Sequence, residues 1–379
     1  MRRALDEAVR GVGAVEPNPP VGAVLVRDGE VIGLGHHQQF GGPHAERRAL
    51  ADAADLGNDP AAGTLYVTLE PCCGFAGKKT PPCTEAIIEA GVSRVVVAIE
   101  DPDPNVAGRG CEQLRQAGVD VQVGCGETDA RELMRAYIKL RTQRRPWVIA
   151  KWAQTADGYV ALDSQGASDS ELRQWISNEA SRRHAHTWRG IVDGVLVGVG
   201  TVLADNPILT DRRHEATRQP TRVILDATLR TPLDCRLVTS IGEARTLVAT
   251  TRQACRDRPA TVDRLRSAGV EILDVTRKPV GGSRPEPAGL VEGVDVQSLL
   301  DALGERNWTR LLVEGGPTVL RSFLDPRLAD ELHVYVGPHE ADDPRQPRFD
   351  LADVLKAGRY VETAAEDLEG DTLFILRKT

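Results

Sequence analysis

The chain has 379 residues, with 47 Lys and Arg against 55 Asp and Glu and a formal net charge of −8. That balance argues against a general nucleic-acid binder, which carries a clustered basic face, and the length points to two domains. Hydrophobic content of 41% and charged content of 27% fit a globular chain rather than a disordered one, and no apolar run approaches the roughly 18 residues that cross a bilayer.

"MRRALDEAVR" at the start lacks the apolar core of a secretory signal. The seven cysteines, at 72, 73, 83, 111, 125, 235 and 255, are odd in number and unevenly spread. They read as thiols or metal ligands rather than a disulfide framework. A cytoplasmic protein with no membrane partner is expected.

In chain order, residues 2–12 read as a short helix. "VGAVLVRDGEVIGLG" (21–35) is apolar and β-rich on both sides of Asp28-Gly29, a tight-turn signal for a hairpin. An Ala-rich helix follows over 44–54, then a buried-strand pattern in "TLYVTLE" (64–70), a helix over 84–91 closed by Gly91, and a strand in "RVVVAIE" (94–100). A helix and a strand carry on through Val123. Alternating strands and helices predict a layered α/β domain whose sheet is largely parallel beyond the first hairpin.

Residues 127–141 read as one charged helix, and "RTQRRP" (141–146) as a surface connection. The pattern then restarts. Strands are predicted at 147–153, 194–200, 222–227, 246–250, 270–275, 310–316 and 331–337, separated by helices or polar loops, with a Pro/Gly-rich loop over 276–289. The boundary predicted is a first domain over 1–145 and a second over 146–379.

The chemistry concentrates in "PHAE" (43–46), "LEPCC" (69–73) and "TPPC" (80–83). A hydrolytic zinc needs three protein ligands and one open position, with a carboxylate near but off the metal to carry protons. His-x-Glu followed by Pro-Cys and a second Cys is the pattern of zinc-dependent nucleobase deaminases. His44, Cys72 and Cys83 fit the ligands and Glu46 the proton carrier. Cys73 competes with Cys72, which is favoured because it directly follows Glu70-Pro71. The alternative is a buried pair of structural cysteines with a surface histidine.

These motifs, with "PNPPVGAVLV" (17–26), "DPDPNVAGRG" (101–110), "KWAQTADG" (151–158), "GVGTVLADNPILT" (198–210) and "LLVEGGPT" (311–318), resemble the bifunctional deaminase/reductase family of riboflavin biosynthesis over nearly the full length. A long spacing between the two metal cysteines is typical of that family, where other deaminases have two residues; between Cys72 and Cys83 there are ten. The resemblance implies a cytidine-deaminase-like three-layer α/β domain followed by a dihydrofolate-reductase-like α/β domain. It implies zinc-dependent hydrolytic deamination of a phosphoribosylamino-diaminopyrimidinone, then NADPH-dependent reduction of the ribosyl group of the product to ribityl. Homo-oligomerisation is implied as well. Asn18, Lys79 and Asp101 stand where the family contacts the pyrimidine or its ribose phosphate, although Asn18 between prolines also suits a turn.

In the second half, "EGGPT" (314–318) reads as strand, turn and helix start, where glycine lets a backbone approach phosphate. The resemblance gives Gly316, Pro317 and Thr318 to the cofactor, together with Ala153, Trp175, Thr201 and Asp205. It gives Arg173, Arg189, Leu209, Arg212 and Glu314 to the substrate. Guanidinium groups at 189 and 212 suit a phosphate, although without the motif both would read as solvated charges. Lys151 and Asp157 match the family without an assigned role.

Three departures stand out: Cys73-Gly74 with a lengthened "FAGKK" after the first metal cysteine, Asp103 where the family carries Asn, and Arg173 where it carries Ser. They motivate an alternative, a zinc deaminase whose reductase half has diverged or lost activity. A non-catalytic zinc protein would need a fourth ligand, for which Cys73 or His37 is available. A transfer-RNA editing enzyme is disfavoured by the acidic balance.

Overall fold

A computed structural model describes residues 1–74, 81–160, 176–213, 218–275, 290–291, 293–341, 347–349 and 351–379. The chain divides into two compact units, Met1–Arg144 and Arg145–Thr379.

The first unit holds strands β1 (Gly22–Arg27), β2 (Glu30–His36), β3 (Thr64–Leu69), β4 (Arg94–Ile99) and β5 (Asp120–Val123), in the order β2-β1-β3-β4-β5. β1 runs antiparallel to β2 and β3, and β3, β4 and β5 run parallel. Its helices are α1 (Arg2–Val9), α2 (Ala45–Asp55), α3 (Cys83–Glu89), α4 (Arg109–Gln116), α5 (Glu127–Leu133) and α6 (Arg135–Gln143).

Glycines on the hairpin show how the layers form. Side chains alternate faces along a strand. A Cβ on Gly33 or Gly35 would stand 2.2 or 2.3 Å from the α2 carbonyls of Ala49 and Ala45. One on Gly22, whose register partner is His36, would stand 2.0 Å from Ala4 O in α1. Thus α2 covers one face of the sheet and α1 the other, and His36 bonds Glu7 of α1 at 2.9 Å on that second face. The result is the three-layer arrangement.

The second unit holds β6 (Trp147–Gln154), β7 (Gly194–Gly198), β8 (Thr221–Leu225), β9 (Thr246–Thr250), β10 (Glu271–Asp274), the short pair β11 (Leu290–Val291) and β12 (Val294–Asp295), β13 (Arg310–Gly315), β14 (Glu331–Val336), β15 (Tyr360–Leu368) and β16 (Asp371–Lys378). Its main sheet runs β10-β9-β8-β7-β13-β6-β14-β16-β15. The strands are parallel as far as β14, and β16 and β15 then add antiparallel at one edge. Val148, Ala150 and Trp152 of β6 enter one apolar cluster and Ile149 the other, so the sheet is buried on both faces. That is why these strands read as unbroken apolar runs.

Two expectations need correction. The charged helix over 127–141 is two helices, broken at the fully buried Met134, whose φ of −99° and ψ of 12° leave the helical basin. The hairpin β15–β16 at the C-terminus was missed. β15 is an exposed, acidic edge strand, and its turn places Glu369 and Gly370 at φ of 56° and 101° without the Asn-Gly or Asp-Gly signal. The proline- and glycine-rich loop over 276–289 lies outside the described residues.

Candidate active sites

In the first unit three loop-to-element junctions converge. His44 caps the start of α2 with an extended backbone (φ −72°, ψ 164°), and Cys83 is the first residue of α3 behind Pro82. Cys72 lies three residues beyond β3, and its carbonyl accepts the Cys83 N–H at 3.0 Å. His44 Nδ1 stands 3.4 Å from the Sγ of both Cys72 and Cys83, and the three donors lie within 4.8 Å of one another.

A tetrahedral zinc, with bonds of about 2.05 Å to nitrogen and about 2.3 Å to sulfur, would hold its N and S donors about 3.5 Å apart. Both imidazole-to-thiol distances therefore match those of a zinc site. Cys73 is buried and belongs to no metal-capable group among the described residues. His37, the other candidate fourth ligand, has Nδ1 3.0 Å from Pro43 O and Nε2 3.1 Å from Asn18 Nδ2. Burial holds the His37 pKa below its ordinary value. Three donors with no fourth among the described residues match the open, catalytic type of site.

Glu46, in the first turn of α2, is 3% exposed. Burial first, and then the charge of Cys72, push its carboxyl up to about 7, against opposing contributions from His44 and a Cys83 hydrogen bond. A cation held by the three donors would draw it down again by direct attraction.

Glu70 was read only as part of the cysteine motif, yet it organises this region. One carboxylate oxygen accepts the N–H groups of Asp101 (3.0 Å) and Gly108 (2.8 Å), and the other those of Gly110 (2.8 Å) and Cys111 (3.1 Å). It thereby caps α4 while sitting two residues before Cys72. A Cβ on Gly110 would be 2.0 Å from Pro71 O, so the helix start presses directly on the metal-ligand loop.

Asp101 is buried, and its Oδ1 accepts both Tyr137 Oη–H and Asp103 N–H at 2.9 Å. Tyr137 was missed because it lies in a segment whose visible signal was charge. Asp103 accepts from the Asn105 backbone at 2.9 Å and stands 3.7 Å from Arg141. Burial raises the Asp101 carboxyl to about 6 against its hydrogen bonds. Its folded value lies above the ordinary 3.8, so the folded chain holds that proton more tightly. Ionising it then costs stability as pH rises through that window. Asp101→Asn keeps a carbonyl oxygen for both donors. It is expected to stabilise the protein at neutral pH, on the order of 2–3 kcal/mol, a gain that fades below about pH 4; urea midpoints at the two pH values check this.

In the second unit β13 is inserted between β6 and β7, so its carboxyl end opens beside both, the position where open α/β sheets bind ligands. Gly316 has φ of 80°, and Cβ atoms on Gly315 and Gly316 would lie 3.4 and 3.2 Å from Thr201 Oγ1. Thr201 belongs to α8 (Val199–Asp205), which follows β7 and ends at the exposed Asp205. Pro317 and Thr318 begin the helix Pro317–Phe323. Ala153 lies on β6 opposite Tyr335.

Arg189, at the end of α7 (Glu179–Arg189), is no solvated charge. Nε and Nη2 reach the two oxygens of Glu314 at 2.7 and 2.9 Å, and Nη1 donates to Thr210 O at 3.2 Å. Among the described residues, three of its five N–H donors find acceptors. Arg212 is exposed, and Leu209 is buried with φ of 55°. Lys151 was left without a role; burial lowers its pKa against the pull of Glu314, and its Nζ stands 5.4 Å from the Tyr335 ring centroid. His186, not singled out from the sequence, is lowered to about 4 by burial and then by Arg189. Lys79, Arg173 and Trp175 lie outside the described residues. No helix among the described residues is long and apolar enough to cross a membrane.

Residues 1–99 match the cytidine and deoxycytidylate deaminase zinc-binding region, and residues 146–340 match the RibD C-terminal domain. The riboflavin biosynthesis protein RibD of Aquifex aeolicus is 40% identical over 89% of this chain and 86% of its own length. That of Escherichia coli is 37% identical over 89% of this chain and 86% of its own. The crystal structure of a diaminohydroxyphosphoribosylaminopyrimidine deaminase/5-amino-6-(5-phosphoribosylamino)uracil reductase from Thermotoga maritima superposes with a TM-score of 0.79. It shares 34% identity and covers 100% of this chain and 97% of that one. A form of Acinetobacter baumannii RibD gives 0.80 at 32% identity, covering 100% and 98%. A zinc-type deaminase region joined to this reductase domain, with relatives matched along both, means that the chain belongs to the RibD family of bifunctional riboflavin-biosynthesis enzymes, deaminase and reductase in one polypeptide.

Proposed function

We propose that the unit Met1–Arg144 deaminates a phosphoribosylamino-diaminopyrimidinone and that the unit Arg145–Thr379 reduces the ribosyl group of the product to ribityl. The substrate is a small phosphorylated pyrimidine rather than a nucleic acid, and the location is cytoplasmic. His44, Cys72 and Cys83 hold zinc, which when bound supplies the Lewis acidity that makes water nucleophilic at neutral pH. Glu46 takes the proton that the attacking water gives up and delivers it to the exocyclic nitrogen, which leaves as ammonia. Asn18, Lys79 and Asp101 orient the pyrimidine and its ribose phosphate.

In the reductase unit NADPH supplies the reducing equivalents. Gly316, Pro317 and Thr318 receive its pyrophosphate at a helix start, with Ala153, Trp175, Thr201 and Asp205 along the rest of the cofactor. Glu314 sits beside the ribosyl carbon to be reduced, held there by Arg189, while Arg212 and the remaining N–H groups of Arg189 take substrate phosphate. Arg173 and Leu209 complete that subsite.

The observation that carries the reading is the convergence of His44 Nδ1, 3.4 Å from both cysteine sulfurs, beside a buried Glu46. The Arg189–Glu314 pair next to the Gly-Gly turn weighs against a reductase half that has lost its function. Chelation tests both halves at once. Removing zinc is expected to abolish ammonia release while NADPH consumption with the already deaminated substrate continues at the original rate. Unaltered deamination in a protein verified to be zinc-free would sink the first assignment, and a lack of NADPH consumption with that substrate would sink the second.

A further inference from the structure

His37, one residue beyond β2, lies outside the three metal donors, yet its ring stands edge-on to His44 with centroids 5.3 Å apart. Both of its nitrogens are engaged, Nδ1 with Pro43 O at 3.0 Å and Nε2 with Asn18 Nδ2 at 3.1 Å. A carbonyl oxygen can only accept, so the ring proton sits on Nδ1. In the neutral ring Nε2 then has a lone pair and no hydrogen, and only the NH2 group of Asn18 can complete that contact. Turning the amide over would set its carbonyl oxygen against the Nε2 lone pair. The chain Pro43 O, His37, Asn18 therefore has one consistent direction of donation. Asn18 Oδ1 points away from the ring, and among the described residues it has no hydrogen-bond partner.

We propose that His37 is a positioning residue that locks the Asn18 amide so that its carbonyl oxygen, rather than its NH2 group, is presented to the pyrimidine. The subsite then selects a ring edge that offers an amino or ring N–H donor and disfavours one that offers a carbonyl. This rests on the reading above that Asn18 touches the pyrimidine, and adds which atom does so and what holds it there.

Two substitutions separate the functions of the two ring nitrogens. Asparagine at 37 can replace Nδ1 toward Pro43 but has no atom where Nε2 stands; glutamine can set its amide oxygen near the Nε2 position. His37→Asn is expected to raise the deamination KM about tenfold, the loss of one well-placed hydrogen bond. Its kcat should stay within about twofold and its zinc content should not change. His37→Gln should remain within about threefold of the original KM, and in an Asn18→Ala background His37→Asn should add less than about twofold. Loss of zinc in His37→Asn, a glutamine variant as impaired as the asparagine one, or full additivity with Asn18→Ala would each overturn the proposal. An Asn18→Ala protein with unaltered KM would instead sink the prior reading of Asn18, and this inference with it.

Discussion

Glu46→Gln is expected to retain its zinc and lose deamination by about 10²–10⁴-fold, the usual contribution of a positioned acid–base group. The carboxylate is not among the three metal donors, so replacing it by its isosteric amide leaves the donor set intact. The amide cannot take a proton from water and return it to the departing nitrogen. Burial works against the charged form of Glu46 and pushes it up to about 7, so a neutral Gln should not destabilise the fold. The expected outcome is a folded, metal-loaded protein that releases little ammonia, checked by metal analysis and an ammonia assay. Ammonia release at the original rate would falsify the proton-carrying role.

The second large effect is expected at Arg189. Its side chain and that of Glu314 are 9% and 8% exposed. Burial pushes Glu314 up, yet the Arg189 guanidinium, by charge and by hydrogen bonding, with Lys151 and His186 behind it, brings the carboxyl down to about 2. The folded value lies below the ordinary 4.5. The pair's contribution to stability is therefore present above the unfolded value and is lost as pH falls toward about 2. Arg189→Met leaves a buried carboxylate without its guanidinium and should cost about 3–5 kcal/mol at neutral pH. Part of that loss should be recovered on mild acidification, when Glu314 can take a proton. The double substitution Arg189→Met with Glu314→Leu should cost less than the single one, because no lone charge is then buried. Both variants should lose NADPH consumption, while deamination stays within about twofold, since the two chemistries use separate residues. Urea midpoints across pH, with the two assays run in parallel, check this; a single variant as stable as the parent protein would remove the pair from the account.

What the sequence made legible was chemistry carried by local spacing. His44, Glu46, Cys72 and Cys83 each stand in a short motif at a loop or helix start, and the structure brings the three donors together. The parallel strands were legible because burial on both faces leaves them apolar throughout. What escaped was set by distance along the chain or by the absence of an apolar signal. Arg189 and Glu314 are separated by 125 residues, and nothing near either position announces the other. Glu70 acts on backbone N–H groups of residues 101–111, which leave no mark in side-chain patterns. Tyr137 was hidden among charges, and the edge strand β15, exposed on most of its length, lacks the alternation that marks a half-buried strand.

The grip of Glu70 on the first turn of α4 bears on what happens when the ion leaves. Four backbone N–H groups and the Gly110–Pro71 contact hold the segment ahead of Cys72 by protein atoms alone. That segment is thus expected to keep its place when a bound ion is removed, which near-UV circular dichroism of the chelated protein checks. Reloading with metal is then expected to proceed faster than refolding of the unit.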